Sequence, residues 1–169
     1  GVSVWKPQRG VVDAVGASVV VGAPVRVWRP SRGGERRGLA LAWRHGVPLV
    51  PLRGRSRSGE WIGQVLALAD TGAEGLFLTE ALAAKLIPLR ASQPARLVGV
   101  CGEQWVRRQQ VLGLGLGPAD PLRQSVEAII LTNSVFERLG VGAIVGQELL
   151  RTRRQLWRLD VNPPRLELW

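Results

Sequence analysis

Short apolar runs separated by polar or glycine-rich segments make up most of this chain. Residues 47–52 and 61–69 are two such runs, and the Gly-, Ser- and Arg-rich segment 53–60 between them predicts a hairpin. Other apolar runs predict further strands, at residues 19–21, 25–28, 39–43, 126–131, 143–145, 156–161 and 165–169. The pattern therefore predicts an all-β protein whose strands close into a barrel-like sheet.

Two segments depart from the strand pattern and predict short helices. Thr79 is a suitable N-cap for an alanine-rich segment, and Pro88 ends that segment. Residues 147–154 predict a second short helix. Between these helices, residues 95–117 carry apolar runs around a glycine-containing turn, which predicts a long hairpin.

Positive charge is concentrated in the first third of the chain. The net charge is +10, and residues 1–58 contain eleven basic residues but only two acids, Asp13 and Glu35. We interpret residues 1–46 as an Arg-rich β extension or prosegment and residues 47–169 as the main domain. The basic bias reflects either a GC-rich coding sequence or the binding of nucleic acid or another polyanion through residues 1–58.

The composition excludes several kinds of site. Cys101 is the only cysteine and His45 the only histidine, so one chain has no intramolecular disulfide, no cysteine metal cluster and no three-histidine site. We expect no metal and no other cofactor. No uncharged apolar run reaches the ~18 residues of a membrane span, and nothing at the N-terminus resembles a signal peptide. Because the chain begins at Gly1 and contains no Met, we expect a processed or excised fragment.

One acidic residue stands where an acid is costly. Asp70 directly follows the apolar run 65–69, and Thr71, Gly72 and Ala73 come after it. A carboxylate at the end of a buried strand needs hydrogen-bond partners or a proton. Two roles explain it: a turn residue that accepts a bond from a nearby backbone amide, or a catalytic group that shares a proton with a second carboxylate.

Three segments, in this order, resemble the retropepsin family of retroviral and retrovirus-like aspartic proteases. Residues 69–73 (Ala-Asp-Thr-Gly-Ala) match its active-site motif, residues 97–102 (Leu-Val-Gly-Val-Cys-Gly) occupy the place of its flap, and residues 143–150 (Ala-Ile-Val-Gly-Gln-Glu-Leu-Leu) are similar to its second signature. The resemblance spans residues 47–169. It implies a closed, barrel-like acid-protease fold with one or two short helices and a flap hairpin, and a cofactor-free endopeptidase that acts on peptides or proteins.

The resemblance also implies a role for each matching residue. Asp70 is the catalytic carboxylate, supported by residues of both motifs: Thr71, Gly72, Ala73, Ile144, Val145 and Gly146. Residues of the flap contact the substrate: Val98, Gly99, Val100, Cys101, Gly102 and Trp105. The flap glycines give its tip the mobility that a lid over the substrate requires.

A single copy of the motif has a consequence for assembly. Asp13 and Asp160 lie in unrelated contexts, so the second catalytic aspartate has to come from another copy of the chain. The expected enzyme is therefore a homodimer with its site on the two-fold axis. Retroviral members commonly carry an ion pair at the positions of Glu74 and Gln147, and Gln147 cannot form one. Glu148 also departs from the usual Asn or Asp.

Two other functions remain open at this point. The first is a binding or scaffold module that has the same fold and no activity. The second is a basic nucleic-acid-binding β-barrel led by residues 1–58, whose affinity would fall steeply with salt. We expect a soluble protein, either intracellular or part of a viral-like polyprotein.

Overall fold

The computed structural model describes residues 10–13, 18–21, 37–99, 102–117 and 125–169. The strands are β1 (Gly10–Asp13), β2 (Ser18–Val21), β3 (Arg37–Ala40), β4 (Ala42–Arg44), β5 (Val47–Arg55), β6 (Trp61–Ala69), β7 (Leu76–Leu78), β8 (Ile87–Pro88), β9 (Gln93–Gly99), β10 (Gly102–Leu112), β11 (Leu114–Leu116), β12 (Val126–Ile130), β13 (Ala143–Val145), β14 (Gln155–Arg158) and β15 (Arg165–Leu168). The helices are α1 (Glu80–Lys85), α2 (Ser134–Leu139) and α3 (Gln147–Leu150). The chain is mostly β, which confirms the all-β class.

One large mixed sheet contains most of the strands. Its neighbours follow the order β11, β5, β6, β13, β7, β12, β10, β8, with β4 beside β5 and β9 beside β10. β13 lies between β6 and β7, parallel to the first and antiparallel to the second. The two segments that resemble the family's active-site motif and second signature are therefore neighbours in the sheet.

A smaller sheet contains the C-terminal strands. Its order is β14, β15, β3, and β15 is antiparallel to both of its neighbours. Residues 37–44, which the sequence pattern assigned to the N-terminal extension, pair with β15 and with β5. Leu39 and Leu41 are buried in the main core. Residues 37–44 thus pair and pack with strands of the main domain.

Two apolar clusters lie on opposite faces of the large sheet. The main cluster joins that sheet to the smaller one, for example through Val50, Ala67 and Trp157. The second cluster includes Leu49 and, from α2, Phe136. Leu49 and Val50 are consecutive in β5 and belong to different clusters, because side chains alternate between the two faces of a strand. Full burial of a large apolar side chain contributes about 1.5–3 kcal/mol.

The prediction of a closed barrel is wrong. The described strands form an open path that starts at β11 and stops at β8. The chain passes from β10 to β11 through Gly113, whose φ is +70°, so covalent linkage rather than strand pairing joins these two parts of the sheet. β8 has only two residues and one is Pro88, which has no N–H to donate, and beside it only an isolated bridge, Leu86 to Ser56, reaches toward β5.

The helices differ from the sequence pattern in number. α1 begins where predicted, and its N-cap Thr79 accepts a hydrogen bond from the Leu82 N–H (3.2 Å). α3 ends at Leu150, earlier than expected. α2 is a third helix that was not predicted. Its signals were present: Asn133 caps the first turn, and Gly140 ends the helix with φ of +60°.

Some expectations fall outside the described residues. The strand expected at 25–28 belongs to the part of the chain that the structure does not describe, whereas the strand expected at 19–21 is confirmed as β2. No helix in the described ranges combines the length and apolar character needed to cross a bilayer.

Candidate active site

Asp70 is positioned by two strands that are far apart in sequence. It follows the last residue of β6, and its backbone N–H donates to the Val145 carbonyl at the end of β13 (2.9 Å). Val145 is also the register partner of Ala69 and of Leu76. The strand alternation places the Asp70 side chain on the same face as Leu68, opposite the buried Ala69. The end of β13 therefore determines where this carboxylate stands.

The carboxylate of Asp70 is half-buried and is oriented by its own loop. Its Oδ1 accepts a hydrogen bond from the Gly72 N–H (2.9 Å), which is the contact expected of an Asx turn. Thr71 and Gly72 themselves are exposed, and Ala73 is half-buried. The half-buried carboxylate therefore lies beside an exposed loop at the end of β6.

The loop after Asp70 is held by the N-terminus of α3. The N–H groups of Gly146, Gln147 and Glu148 donate to the carbonyls of residues 75, 73 and 74, at 3.0, 2.8 and 2.8 Å. The first N–H groups of a helix have no partner inside the helix, and α3 has no side-chain cap. The loop satisfies these donors, so the loop and the helix fix each other.

The N-terminus of α3 lies so close to the loop after Asp70 that position 146 has to be glycine. A Cβ at this position would lie 2.5 Å from the Gly75 carbonyl oxygen and closer still to that of Ala73. Both neighbours are backbone atoms, which cannot move away without displacing the loop. The resemblance assigned Ile144, Val145 and Gly146 to support of the site, and the structure places them against the loop and the strand that carry Asp70.

Gln147 makes a second contact that the sequence did not reveal. Its side-chain Nε2 donates to the Thr71 carbonyl (2.8 Å), one residue from Asp70. The resemblance indicated only that Gln147 could not form an ion pair. A neutral amide that reaches a backbone carbonyl is nevertheless a second attachment of the loop to α3, and only the tertiary structure brings these residues together.

We expect the Gln147→Ala variant to lose about 1 kcal/mol of unfolding free energy, because it removes this one partly exposed hydrogen bond. Urea denaturation measures the change. Gln64→Ala is the control, since Gln64 is an exposed residue on β6, and its effect should stay within about 0.5 kcal/mol. Equal stability of the two variants would show that the Gln147 contact does not hold the loop.

A row of apolar side chains continues from Asp70 across the sheet. Ile144 is the register partner of both Leu68 and Phe77. All three side chains are only partly buried, although they belong to the second apolar cluster. Ala69, Leu76 and Val145, on the other face, are almost fully buried. The face that carries Asp70 thus offers a partly open apolar surface beside the carboxylate.

A hairpin is present, but it ends earlier than the expected residue 117: β9 and β10 form it, and residues 114–116 are a separate strand, β11, which pairs with β5. β9 and β10 pair antiparallel in a continuous register, from Gly99 opposite Gly102 to the base of the hairpin. The Arg96 and Glu103 side chains form an ion pair across it. Val98 and Trp105 are 75% and 74% exposed, far more than a core side chain. Val100 and Cys101, at the tip, lie outside the described residues. Substrate contact by this hairpin stays a prediction.

The described residues offer no obvious metal site. Among them, no three His, Cys, Asp or Glu side chains come together. The contacts described for Asp70 are with backbone groups of its own loop and of β13. Glu74 and Glu148 are joined through their backbones, the N–H of Glu148 donating to the Glu74 carbonyl. The groups that the described residues place around Asp70 are thus its own carboxylate and the backbone of its loop.

No protein-family model matches the chain, and no curated protein matches its sequence significantly. The residues around Asp70 and their geometry are therefore what indicates a function.

Proposed function

We propose that the protein is an aspartic endopeptidase of the retropepsin type, active as a homodimer that pairs Asp70 of one chain with Asp70 of the other. One observation carries the proposal. An Asp-Thr-Gly loop stands at the end of a rigid strand, its carboxylate is oriented by the Gly72 N–H, and the loop is attached to α3 by backbone hydrogen bonds. These contacts fix the position of the carboxylate, which supports the proposal because a reacting group has to be held in place.

The chemistry follows from two carboxylates that share one proton. Two such groups a few ångströms apart cannot both ionise, and aspartic proteases are the standard example of this effect. The ionised carboxylate takes a proton from water as the water oxygen attacks the peptide carbonyl carbon. The protonated carboxylate donates its proton to the carbonyl oxygen. A proton then reaches the amide nitrogen, the C–N bond breaks, and a carboxylic acid and an amine leave.

The surface next to Asp70 suits an extended peptide. Leu68, Phe77 and Ile144 form the partly open apolar row beside the carboxylate, against which apolar side chains of a substrate can pack. The β9–β10 hairpin exposes Val98 and Trp105, two large apolar side chains available for contact with a ligand. An extended peptide can also add a strand to such a hairpin through its backbone. Apolar residues near the cleaved bond are the preference that we expect.

The way in which two copies meet is restricted by the smaller sheet. Both edges of the C-terminal strand β15 are already paired, one with β14 and the other with β3. Another copy therefore cannot add a strand to β15 without displacing one of these. The exposed loop at Thr71 and Gly72 is the contact that the proposed site requires, because both Asp70 carboxylates must approach the two-fold axis.

A mixing experiment tests the shared site. Equal amounts of wild-type and Asp70→Asn chains, allowed to exchange, should retain about one quarter of the activity of the same total amount of wild type, because random pairing leaves about one quarter of the dimers with two aspartates. Independent active monomers would retain about one half. The measurement is the initial rate of cleavage of a peptide library, taken at the acidic or neutral pH at which wild type cuts it. A residual activity near one half contradicts the shared site.

A second candidate is favoured by one of the same contacts. The hydrogen bond from the Gly72 N–H to Asp70 Oδ1 is sufficient to explain an acid at this turn in a binding module without activity. The two candidate functions predict different behaviour of the wild-type protein toward peptides. The binding module cleaves no peptide at any pH, whereas the protease cleaves and loses the activity when Asp70 is changed.

A further inference from the structure

The far end of the β5–β6 hairpin carries a basic and aromatic cluster that the proposed protease activity does not use. Gly54 is buried while the residues on either side of it, Arg53 and Arg55, reach the surface, as alternation along a strand requires. Arg55 stands opposite Trp61 in the register of β5 and β6. We call the group formed by Arg53, Arg55, Arg57, Trp61 and Lys85 the Arg–Trp tip.

Two arginines of the Arg–Trp tip are arranged around one indole. The Cζ atoms of Arg53 and Arg55 lie 4.3 and 4.8 Å from the centroid of the Trp61 ring, within the range of cation–π attraction. Trp61 is 49% exposed despite these contacts. A guanidinium that stacks on a ring keeps its N–H donors in its own plane, directed away from the ring. The stacking therefore holds the Arg55 side chain in place while it can still donate to an anion.

Two more positive charges adjoin this arrangement. The Arg57 N–H donates to the Lys85 carbonyl (3.3 Å), and Ser56 forms an isolated bridge with Leu86. These contacts bring the end of α1, which carries the exposed Lys85, against the hairpin. The acid of the hairpin, Glu60, accepts from the Ser58 hydroxyl (3.2 Å). The Arg–Trp tip thus has a clear excess of positive charge.

The side-chain hydrogen bonds of Arg55 and Arg57 do not neutralise their charge. Arg55 Nη1 donates to the Gly59 carbonyl (3.0 Å) and Arg57 Nε to the Leu86 carbonyl (3.4 Å), and both acceptors are neutral. On β10, by contrast, two arginines form ion pairs with carboxylates, Arg107 with Glu80 and Arg108 with Glu127. The positive charge of Arg55 and Arg57 therefore remains available to an external anion.

We propose that the Arg–Trp tip binds single-stranded nucleic acid. Arg55, Arg57 and Lys85 contact phosphates, and the exposed part of Trp61 or a stacked guanidinium plane receives an unpaired base. Proteins that bind single strands without sequence preference combine these two elements, a positive surface and aromatic platforms. The side chains of Asp and Glu carry charge but no planar ring to stack, and a duplex keeps its bases inside the helix. The combination of charge and indole therefore favours a single strand.

The Arg–Trp tip is separate from Asp70. Trp61 is the first residue of β6, and Asp70 follows the last residue, Ala69. At about 3.3 Å per residue, the strand holds the two sites roughly 25–30 Å apart. The Asp70→Asn variant should therefore bind nucleic acid as wild type does, so this proposal stands or fails independently of the protease function.

Fluorescence anisotropy with labelled oligouridine and oligothymidine of about 15 nucleotides tests the proposal. RNA and DNA should bind within a few-fold of each other, because the contacts are to phosphates and base faces that both contain. Arg55→Gln/Arg57→Gln should weaken binding at least tenfold, and Trp61→Ala at least fivefold. Three phosphate contacts predict a slope of about −2 for log affinity against log salt.

The control variant removes the same number of positive charges from another part of the surface. Arg138→Gln/Arg151→Gln removes two exposed arginines of α2 and of the end of α3, and it should change the affinity less than twofold. Arg57→Gln/Lys85→Gln leaves the stacked Arg55–Trp61 pair intact, so it tests the charge if the first variant fails to fold. Equal weakening by the control, equal binding of a polyglutamate peptide, or tighter binding of a matched duplex would overturn the proposal.

Discussion

Peptide cleavage is expected to fall by at least about 1,000-fold in the Asp70→Asn variant. Removal of a positioned acid–base group typically costs 10²–10⁴ in rate, and Asp70 is proposed to act on both sides of the shared site. The amide replaces the carboxylate by a group of the same shape that neither accepts a proton from water nor donates one to the substrate. Each active site would lose both catalytic groups at once, because both derive from the same residue.

The fold of this variant should be preserved. The introduced side-chain amide retains an oxygen that accepts from the Gly72 N–H, and the Asp70 N–H bond to the Val145 carbonyl is made by the backbone. Thermal unfolding followed by circular dichroism should therefore show a midpoint close to that of wild type. Loss of activity with an unchanged midpoint separates catalysis from folding, which Asp70→Ala cannot do as cleanly.

Asp160→Asn is the matched control for Asp70→Asn. Asp160 is an exposed carboxylate paired with Arg158, and it lies in the turn between β14 and β15. Its loss should leave the cleavage rate within about twofold of wild type, as expected of a surface pair. Cleavage that survives in Asp70→Asn, or a wild type that cuts no peptide between acidic and neutral pH, would rule out the proposed protease.

Gly146→Ala is expected to lower the unfolding free energy by about 3 kcal/mol or to prevent folding. The added Cβ would meet the carbonyl oxygens of Ala73 and Gly75, both within 2.5 Å. Overpacking against side chains costs about 1–3 kcal/mol, and here the opposing atoms are backbone atoms that also accept the hydrogen bonds from α3. Separation of the loop from the helix would leave buried backbone groups without partners, which adds to the cost.

Gly63→Ala provides the control for Gly146→Ala. Gly63 lies on β6, the strand that carries Asp70, and a Cβ there would meet no atom within 4 Å. Alanine is preferred to glycine in a strand by about 0.5–1 kcal/mol, so this variant should be as stable as wild type or more stable. Urea denaturation of both variants gives the comparison. Equal stabilities would mean that the loop can move away from α3 freely, and that Gly146 does not fix Asp70.

The elements that depend on local signals were predicted best from the sequence. The hairpin of β5 and β6 was expected from two apolar runs, and the N-cap at Thr79 from a residue type that accepts backbone bonds. α2 was missed although Asn133 and Gly140 mark its two ends. Its apolar residues, Val135, Phe136 and Leu139, are too few to make a helical period stand out from the neighbouring strands.

The prediction of a closed barrel was wrong for a different reason. Closure requires that the first and last strands of a sheet pair with each other, and no local pattern encodes that pairing. Here the last strand, β8, is two residues long and contains Pro88, and only an isolated bridge, Leu86 to Ser56, reaches from its start toward β5. The proline was visible in the sequence, but its position at the end of the sheet was not.

The sequence by itself determined that Asp70 ends an apolar strand and is followed by a tight Thr-Gly turn, because alternation and turn chemistry act between neighbours along the chain. Only the tertiary structure decided what holds that carboxylate. β13 enters between β6 and β7, and Gln147 reaches the Thr71 carbonyl across 76 positions of the chain. Such contacts depend on which distant strands pair. That pairing is determined by burial across the whole sheet, so it cannot be derived from any single segment.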